Sequence, residues 1–101
     1  MLSNEQILLK RLKQREAKEF YALYMPEDKT PMEFTLHIIS ICNDIFTIRT
    51  RDNPLEIIGD CALHHWDREK SEMEIGGMLL PEYWGIGIMA SAFQLLTDFA
   101  K

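Results

Sequence analysis

Residues 84–88, Trp-Gly-Ile-Gly-Ile, combine residue types that can bind an anion through the backbone alone. An apolar run typical of a strand ends at Leu80, two glycines follow at a spacing of two, and a helical pattern begins directly afterwards. The first turn of a helix leaves backbone N–H groups without partners and carries about half an elementary positive charge. Glycine lets the backbone approach a phosphate closely, because it has no side chain. The segment therefore indicates a phosphate site. The alternative is a tight turn that only packs the strand against the helix, since such a turn has the same spacing.

Two common phosphate motifs do not fit this segment. A nucleoside-triphosphate loop needs Lys and then Ser or Thr directly after its last glycine, whereas Ile88 and Met89 follow Gly87. The dinucleotide fingerprint needs a third glycine at the position of Ala90. The segment belongs to neither class.

The histidines and cysteines do not predict a metal site. His64 and His65 are adjacent in a predicted strand, so their side chains should point to opposite faces and cannot chelate one ion. His37 lies on a predicted helix, where we expect it to be buried and neutral; the alternative is that it lines an acceptor groove. Cys42 and Cys61 lie in apolar runs without a second pair of cysteines, which predicts two buried free thiols.

The hydrophobic pattern predicts the element order β-α-α-β-β-β-α. The clearest signal is residues 30–33, Thr-Pro-Met-Glu, in which Thr30 and Glu33 can each accept a free backbone N–H at a helix start. An apolar stripe follows on that helix, through Phe34, Ile38 and Ile41. The predicted elements are a strand over 7–12, helices over 13–24 and 31–43, strands from 45, over 55–64 and over 71–80, and a final helix after Gly87, with Met89, Phe93, Leu96 and Ala100 on its buried side.

Composition restricts the function classes. The chain has 101 residues, 47% of them apolar, which is enough for one domain with its own core. A formal net charge of −5 argues against non-specific binding to DNA. No apolar run approaches the ~20 residues that span a membrane. The N-terminus has no charged lead into an apolar block, so we expect a cytoplasmic protein.

Five blocks of sequence together resemble the GNAT superfamily of N-acetyltransferases, and within it the branch that includes ribosomal-protein N-terminal acetyltransferases. The blocks are Ile-Ile-Gly at 57–59, Leu-His-His-Trp-Asp at 63–67, Met-Glu-Ile-Gly at 73–76, residues 79–87 and Leu-Thr-Asp-Phe-Ala at 96–100. The resemblance covers residues 1–101 as a single, incomplete domain. It implies the N-terminal portion of an acyl-CoA N-acyltransferase fold: α+β, with a mostly antiparallel sheet flanked by helices.

The resemblance implies an acetyl-CoA site at the end of the last strand and the start of the last helix. Backbone groups of the strand end would hold the pantetheine arm, and backbone N–H groups of the glycine segment would hold the diphosphate. These two sets are Met78, Leu79 and Leu80, and Gly85, Ile86, Gly87, Ile88 and Met89. Family members usually carry Gln or Arg where this chain has Glu82, and a carboxylate there would repel a diphosphate. Trp84 either packs under the turn or shapes the cleft.

The resemblance also implies a reaction, the acetylation of a primary amine, with a protein N-terminus among the candidate acceptors. Glu74 matches a family carboxylate that removes a proton from the incoming ammonium, which must lose it before it can attack a thioester. The other interpretation of Glu74 is a solvated residue beside Glu72. A backbone N–H near Met78 would stabilise the oxyanion. Tyr21 and Tyr24 are expected to pack the first helix; the alternative is that they contact the acceptor.

Complete family members continue with a further strand, a helix and two strands, which supply the far wall of the cofactor groove and the usual general acid. Three explanations are open for a chain that ends at Lys101, before these elements. It is a fragment of a longer chain, a truncated product, or a module completed by another subunit. On its own the strand over 71–80 would be an open edge, which predicts a homo-dimer or completion by another chain. The alternative function is a non-catalytic acyl-CoA-binding or protein-interaction module.

Overall fold

A single antiparallel sheet organises the computed structural model, which describes residues 1–67, 69–70 and 72–100. Within these residues the sheet has five strands in the order β1-β2-β3-β4-β5, and three α-helices flank it, as an α+β fold requires. The strands are β1 Leu2–Ser3, β2 Ile7–Arg11, β3 Asp44–Thr50, β4 Gly59–Asp67 and β5 Glu72–Leu79; the helices are α1 Ala17–Tyr24, α2 Pro31–Ile41 and α3 Ile88–Ala100, with short 3₁₀ turns at Gln14–Glu16 and Pro81–Tyr83.

The two faces of the sheet carry separate cores. Helix α3 covers one face, with Phe46, Leu63, Ile88 and Leu96 among the buried residues. Helices α1 and α2 cover the other, where the buried residues are Leu12, Phe20, Ile45 and Ala62. A fully buried Leu, Ile or Phe side chain contributes about 1.5–3 kcal/mol to the stability of the fold, relative to an exposed one. This division places the start of α3 on one face of β5 and the α1–α2 pair on the other.

The predicted start of α2 is confirmed, and its predicted stripe is partly wrong. Thr30 Oγ1 accepts from the Glu33 N–H, and Glu33 Oε1 accepts from the Thr30 N–H, both at 3.1 Å. The helix ends at Ile41 rather than at 43, and Ile41 is 53% exposed although the pattern predicts it to be buried. Thr35 is the fully buried residue of this helix.

The predicted strand over 55–64 is shifted. Residues 55–58 form a turn and an irregular segment after Pro54, and β4 begins at Gly59 and continues to Asp67. Leu55 is 84% exposed, whereas Ile58 is fully buried without belonging to the strand. An apolar run can be buried as loop or as strand, so periodicity alone does not separate the two.

The last strand and helix follow the prediction closely. Ser71, where the strand was predicted to begin, lies outside the described residues. Within the part of the chain that the structure describes, β5 pairs only with β4, which makes it an edge strand. In α3, Leu96 is fully buried together with Ile88 and Ala92, while Met89, Phe93 and Ala100 are half-buried against the same core. Among the described residues, none of the helices has the length and apolar content that crossing a bilayer requires.

Candidate functional site

The glycine segment forms an open turn between β5 and α3. Gly85 has φ +84° and Gly87 has φ +82°, a region that strains any residue with a side chain. A Cβ built on either glycine would meet no heavy atom within 4 Å, so both glycines face open space. The turn therefore exposes its backbone, as binding of an anion by the backbone requires.

The amides at the start of α3 are not used by the protein backbone. The Ser91 N–H donates to the Gly87 carbonyl at 3.0 Å and is the first helical donor. Across the described residues, no amide of residues 85–90 donates to a backbone carbonyl. The structure thus brings together the predicted phosphate-binding residues Gly85, Ile86, Gly87, Ile88 and Met89 at one helix N-terminus, and Ala90 joins them.

A side chain from the far end of the sequence holds this turn. Gln6 Nε2 donates to the Ile86 carbonyl at 3.1 Å, and Gln6 Oε1 accepts from Ser91 Oγ at 3.0 Å. Gln6 thereby links the glycine turn to the first turn of α3. Sequence reasoning missed Gln6, since the two partners are 80 residues apart and no local pattern marks the pair.

A cleft of about 570 Å³ lies between the end of β5 and the start of α3. It is lined by Gly77, Met78, Leu79, Tyr83, Trp84, Gly85, Gly87, Ile88, Met89 and Ala90. Trp84 is 65% exposed and its indole Nε1 donates to the Leu79 carbonyl at 2.7 Å, so it forms a wall of the cleft instead of packing under the turn. Among the described residues, the lining contains no lysine or arginine. Glu82 is exposed in the 3₁₀ turn before Trp84.

The backbone of β5 offers alternate residues to the open edge. The Leu80 N–H donates to the Ile58 carbonyl at 2.9 Å, and because antiparallel hydrogen bonding repeats every second residue, the groups of Met78 also face β4. The groups of Gly77 and Leu79 face the free side. Of the three predicted pantetheine positions, Leu79 thus presents its backbone to the edge, whereas the N–H groups of Met78 and Leu80 point into the sheet. Gly77, which is not among the predicted positions, faces the same side as Leu79.

Glu74 lies on β5 opposite His64 and is not among the described residues that line the cleft. Its side chain is 69% exposed, and its Oε2 lies 2.8 Å from Nδ1 of His65. His65 has φ +49°, within the irregular pairing between His64 and Asp67, so the expected strict alternation of the two histidines is interrupted. The expectation of a buried His37 is wrong, because His37 is exposed on α2.

The two thiols differ in burial. Cys61 is fully buried, as predicted, and its burial raises the pKa of the thiol to about 12. Cys42 is only half-buried, which corrects the prediction of two buried cysteines. Both are free, and partial burial also raises the pKa of the Cys42 thiol.

A second, smaller cavity of about 140 Å³ lies on the α1–α2 side of the sheet. It contains Asp60, which is 3% exposed, and Tyr24, whose hydroxyl donates to Asp60 Oδ2. Burial raises the pKa of Asp60 to about 6, against the lowering effect of the Tyr24 hydrogen bond and of the Met78 N–H. Sequence reasoning missed this site, although a single aspartate within the apolar run at 57–63 was a usable signal.

Comparison with known proteins defines the class to which this fold and site belong. A family model described as an acetyltransferase (GNAT) domain matches residues 5–101. The chain therefore belongs to the GNAT acetyltransferase family, as the resemblance indicated. A comparison with curated protein sequences gives no match.

Solved structures support the same fold. An acetyltransferase from Salmonella typhimurium that modifies the N-terminal serine of a 50S ribosomal subunit protein has a TM-score of 0.78 at 16% identity, over 96% of this chain and 65% of that one. A ribosomal α-N-protein acetyltransferase in complex with coenzyme A has a TM-score of 0.76 at 14% identity, over 95% and 64%. A probable acetyltransferase has a TM-score of 0.76 at 17% identity, over 96% and 64%. The chain thus spans about two thirds of the length of each of these proteins, slightly less in every case.

Proposed function

We propose that this chain binds acetyl-CoA at the glycine turn and transfers the acetyl group to a primary amine, with a protein N-terminus as the first acceptor to test. The observation that carries the proposal is the set of free amides at residues 85–90 beside a cleft that reaches the open edge of β5. The acceptor class is suggested by the Salmonella neighbour, whose described substrate is the N-terminal serine of a ribosomal protein.

The residues present fit an acyl-CoA. The amides can hold a diphosphate without any cationic side chain, since a helix N-terminus favours anions by itself. The backbone groups of Gly77 and the N–H of Leu79 face the edge along which a pantetheine arm, with its two amides, would pair as an added strand does. The Leu79 carbonyl on the same side already accepts from the Trp84 indole. Acetyl-CoA supplies an acyl group activated as a thioester. Glu82 remains an unfavourable neighbour and would lower the affinity without moving the site.

The role proposed for Glu74 gives the first catalytic prediction. In assays of acetyl-CoA consumption with a peptide that has a free N-terminal serine, we expect Glu74→Gln to lower kcat by about 10²-fold, because a lost general base typically costs 10²–10⁴-fold. The affinity for coenzyme A should stay unchanged, since Glu74 is not among the described residues that line the cleft. Glu72→Gln removes the same charge from the same face of β5 and is the matched control. Equal rates for Glu74→Gln and the unaltered chain would remove Glu74 from the mechanism.

A non-catalytic acyl-CoA-binding or interaction module is the second candidate. It is favoured by the position of Glu74, the proposed base, whose side chain is 69% exposed and which is not among the described residues that line the cleft. The same assay separates the two functions. Coenzyme A binding without consumption of acetyl-CoA, against peptide and polyamine acceptors alike, would support the module and contradict the transferase.

The open edge of β5 leads to a proposal on assembly. Main-chain groups on the free side of β5, together with the half-buried apolar residues of α3, offer a surface for a second copy or another chain. We expect size-exclusion chromatography with light scattering to give at least twice the 11.8 kDa mass of one chain. A monomer that persists over a wide range of protein concentrations would contradict this expectation.

A further inference from the structure

Asp60 is a buried carboxylate on the α1–α2 face of the sheet, at the second residue of β4. It is 3% exposed, and its backbone lies opposite Met78 of the edge strand. Within the described part of the chain it takes part in no ion pair with Lys, Arg or His. A buried charge without a counter-charge is costly, so the site gains free energy from any cation that reaches it.

The groups that face Asp60 are polar but not cationic. Tyr24, in the last turn of α1, donates its hydroxyl to Oδ2, and the Met78 N–H lies beside the carboxylate. Cys42, after α2, lines the same cavity, and burial and then the Asp60 carboxylate raise the pKa of its thiol. Cys61, the next residue on β4, packs in the core on the α3 face, where burial and then Asp60 raise the pKa of its thiol. His64 lies four residues after Asp60 on β4 and lines the same cavity.

The cavity around Asp60 suits the head of a small amine. Its remaining walls are mostly apolar, and two exposed residues, Tyr24 at 41% and Ile41 at 53%, stand at its lining and leave it accessible from solvent. A volume of about 140 Å³ corresponds to about five water molecules, so only the end of a larger acceptor would enter. The walls are Ile38, Ile41, Ile45, Ala62, Gly76 and Gly77.

The two cavities meet at one residue of the edge strand. Gly77 lines both the cleft on the α3 side and the cavity around Asp60. It must be a glycine, because a Cβ there would lie 2.4 Å from the Asp60 carbonyl oxygen. An acyl donor in the cleft on the α3 side and an amine in the cavity around Asp60 would therefore approach each other at Gly77, where no side chain separates them.

We propose that Asp60 binds the ammonium group of the acceptor in this cavity. The inference rests on the proposed function and deepens it by naming the residue and the chemical class of ligand, a primary ammonium. It concerns binding only; removal of the proton is tested by the Glu74 variants.

The proposal has opposite consequences for binding and for stability. The carboxylate must be ionised to hold an ammonium, so amine affinity should rise with pH through the Asp60 pKa of about 6. Without a ligand, the folded state binds the Asp60 proton more tightly than the unfolded state does, because the folded-state pKa lies above the ordinary value of 3.8. The free energy of unfolding should therefore fall as pH rises from about 4 to 6 and stay constant above that range. In Asp60→Asn, neither the amine affinity nor the free energy of unfolding should show this change with pH.

The test uses the full chain labelled with ¹³C at its aspartate carboxyl carbons and ethylammonium as the probe. We expect ethylammonium, but not ethanol at the same concentration, to lower the titration midpoint of Asp60 by about one pH unit at ten times its dissociation constant. The resonance is assigned by its loss in Asp60→Asn. In Glu72→Gln, which removes an equal charge from an exposed site, the shift should persist.

Two outcomes separate this inference from the proposed function. If the chain binds coenzyme A and the Asp60 midpoint does not move with up to 100 millimolar ethylammonium (roughly the upper range for a weak amine ligand), the amine site is wrong and the donor site stands. If the midpoint moves and coenzyme A does not bind, the amine site stands and the acetyltransferase proposal fails. With a peptide acceptor, Asp60→Asn should weaken binding by at least about tenfold, as expected for the loss of a charged hydrogen bond.

Discussion

Gly87→Glu is expected to weaken coenzyme A binding by about 10³-fold. The new carboxylate would project from the turn that is proposed to hold the diphosphate, and two unit charges about 4 Å apart repel by about 4 kcal/mol at an effective dielectric constant of 20. The space around Gly87 is open, so the side chain meets no steric obstacle. Isothermal titration with coenzyme A measures the loss, and thermal unfolding checks that the fold is retained.

Gly87→Gln is the matched control for this change. It imposes the same side-chain length and the same strain at φ +82°, about 1–2 kcal/mol, without the charge. We expect it to bind coenzyme A far better than Gly87→Glu does. If the glutamate variant binds as tightly as the unaltered chain, the turn is not the phosphate site. Equal weakening by both variants would assign the effect to backbone strain.

Arg49→Met is expected to give the largest loss of stability, about 3–5 kcal/mol. Arg49 is 4% exposed and forms an ion pair with Glu16, which lies in the 3₁₀ turn before α1. Its Nε donates to Thr47 Oγ1 and its Nη1 to the Pro54 carbonyl, each at 3.1 Å. Methionine fills a similar volume but leaves the Glu16 carboxylate and the other two acceptors without this donor. Urea denaturation measures the change in the free energy of unfolding.

Arg51→Met provides the comparison on the same segment of chain. Arg51 is exposed and donates to the Asn4 carbonyl, so its loss should change the free energy of unfolding by less than about 0.5 kcal/mol. Equal stabilities of the two methionine variants would show that the Arg49 contacts contribute nothing net. Glu16→Gln in the Arg49→Met background should recover part of the loss, because it removes the carboxylate that has lost its partner.

The parts of this structure that the sequence predicts well are those governed by local chemistry. The start of α2 depends on Thr30 and Glu33, three residues apart, and both hydrogen bonds form as the spacing requires. The glycine turn is equally local, since Gly85 and Gly87 adopt the left-handed conformations that only glycine takes easily. The order of the elements from Ile7 onward follows from hydrophobic periodicity. The two-residue strand Leu2–Ser3 is an exception that the pattern did not predict, because two residues are too few to show a period.

The parts that sequence reasoning missed depend on distant partners. Gln6 meets the glycine turn across 80 residues, and Tyr24 meets Asp60 across 36. Neither contact leaves a periodic trace in the sequence. Ile41 is exposed at the last residue of α2 despite its place in the apolar stripe, because the helix ends there and the chain turns into β3. Ile41 lines the cavity around Asp60 instead of the core. Packing between elements decides this outcome, and the apolar pattern of one helix does not contain it.

A titration of the ¹⁵N-labelled chain with coenzyme A tests the central claim most directly, because it observes the backbone amides of residues 85–90 themselves. We predict that coenzyme A shifts the amide resonances of Gly85, Gly87 and Met89 more than those elsewhere, and that pantetheine, which lacks the diphosphate, leaves these three unmoved. Saturable binding of coenzyme A whose largest shifts lie elsewhere, or no binding at all, would contradict the proposed donor site.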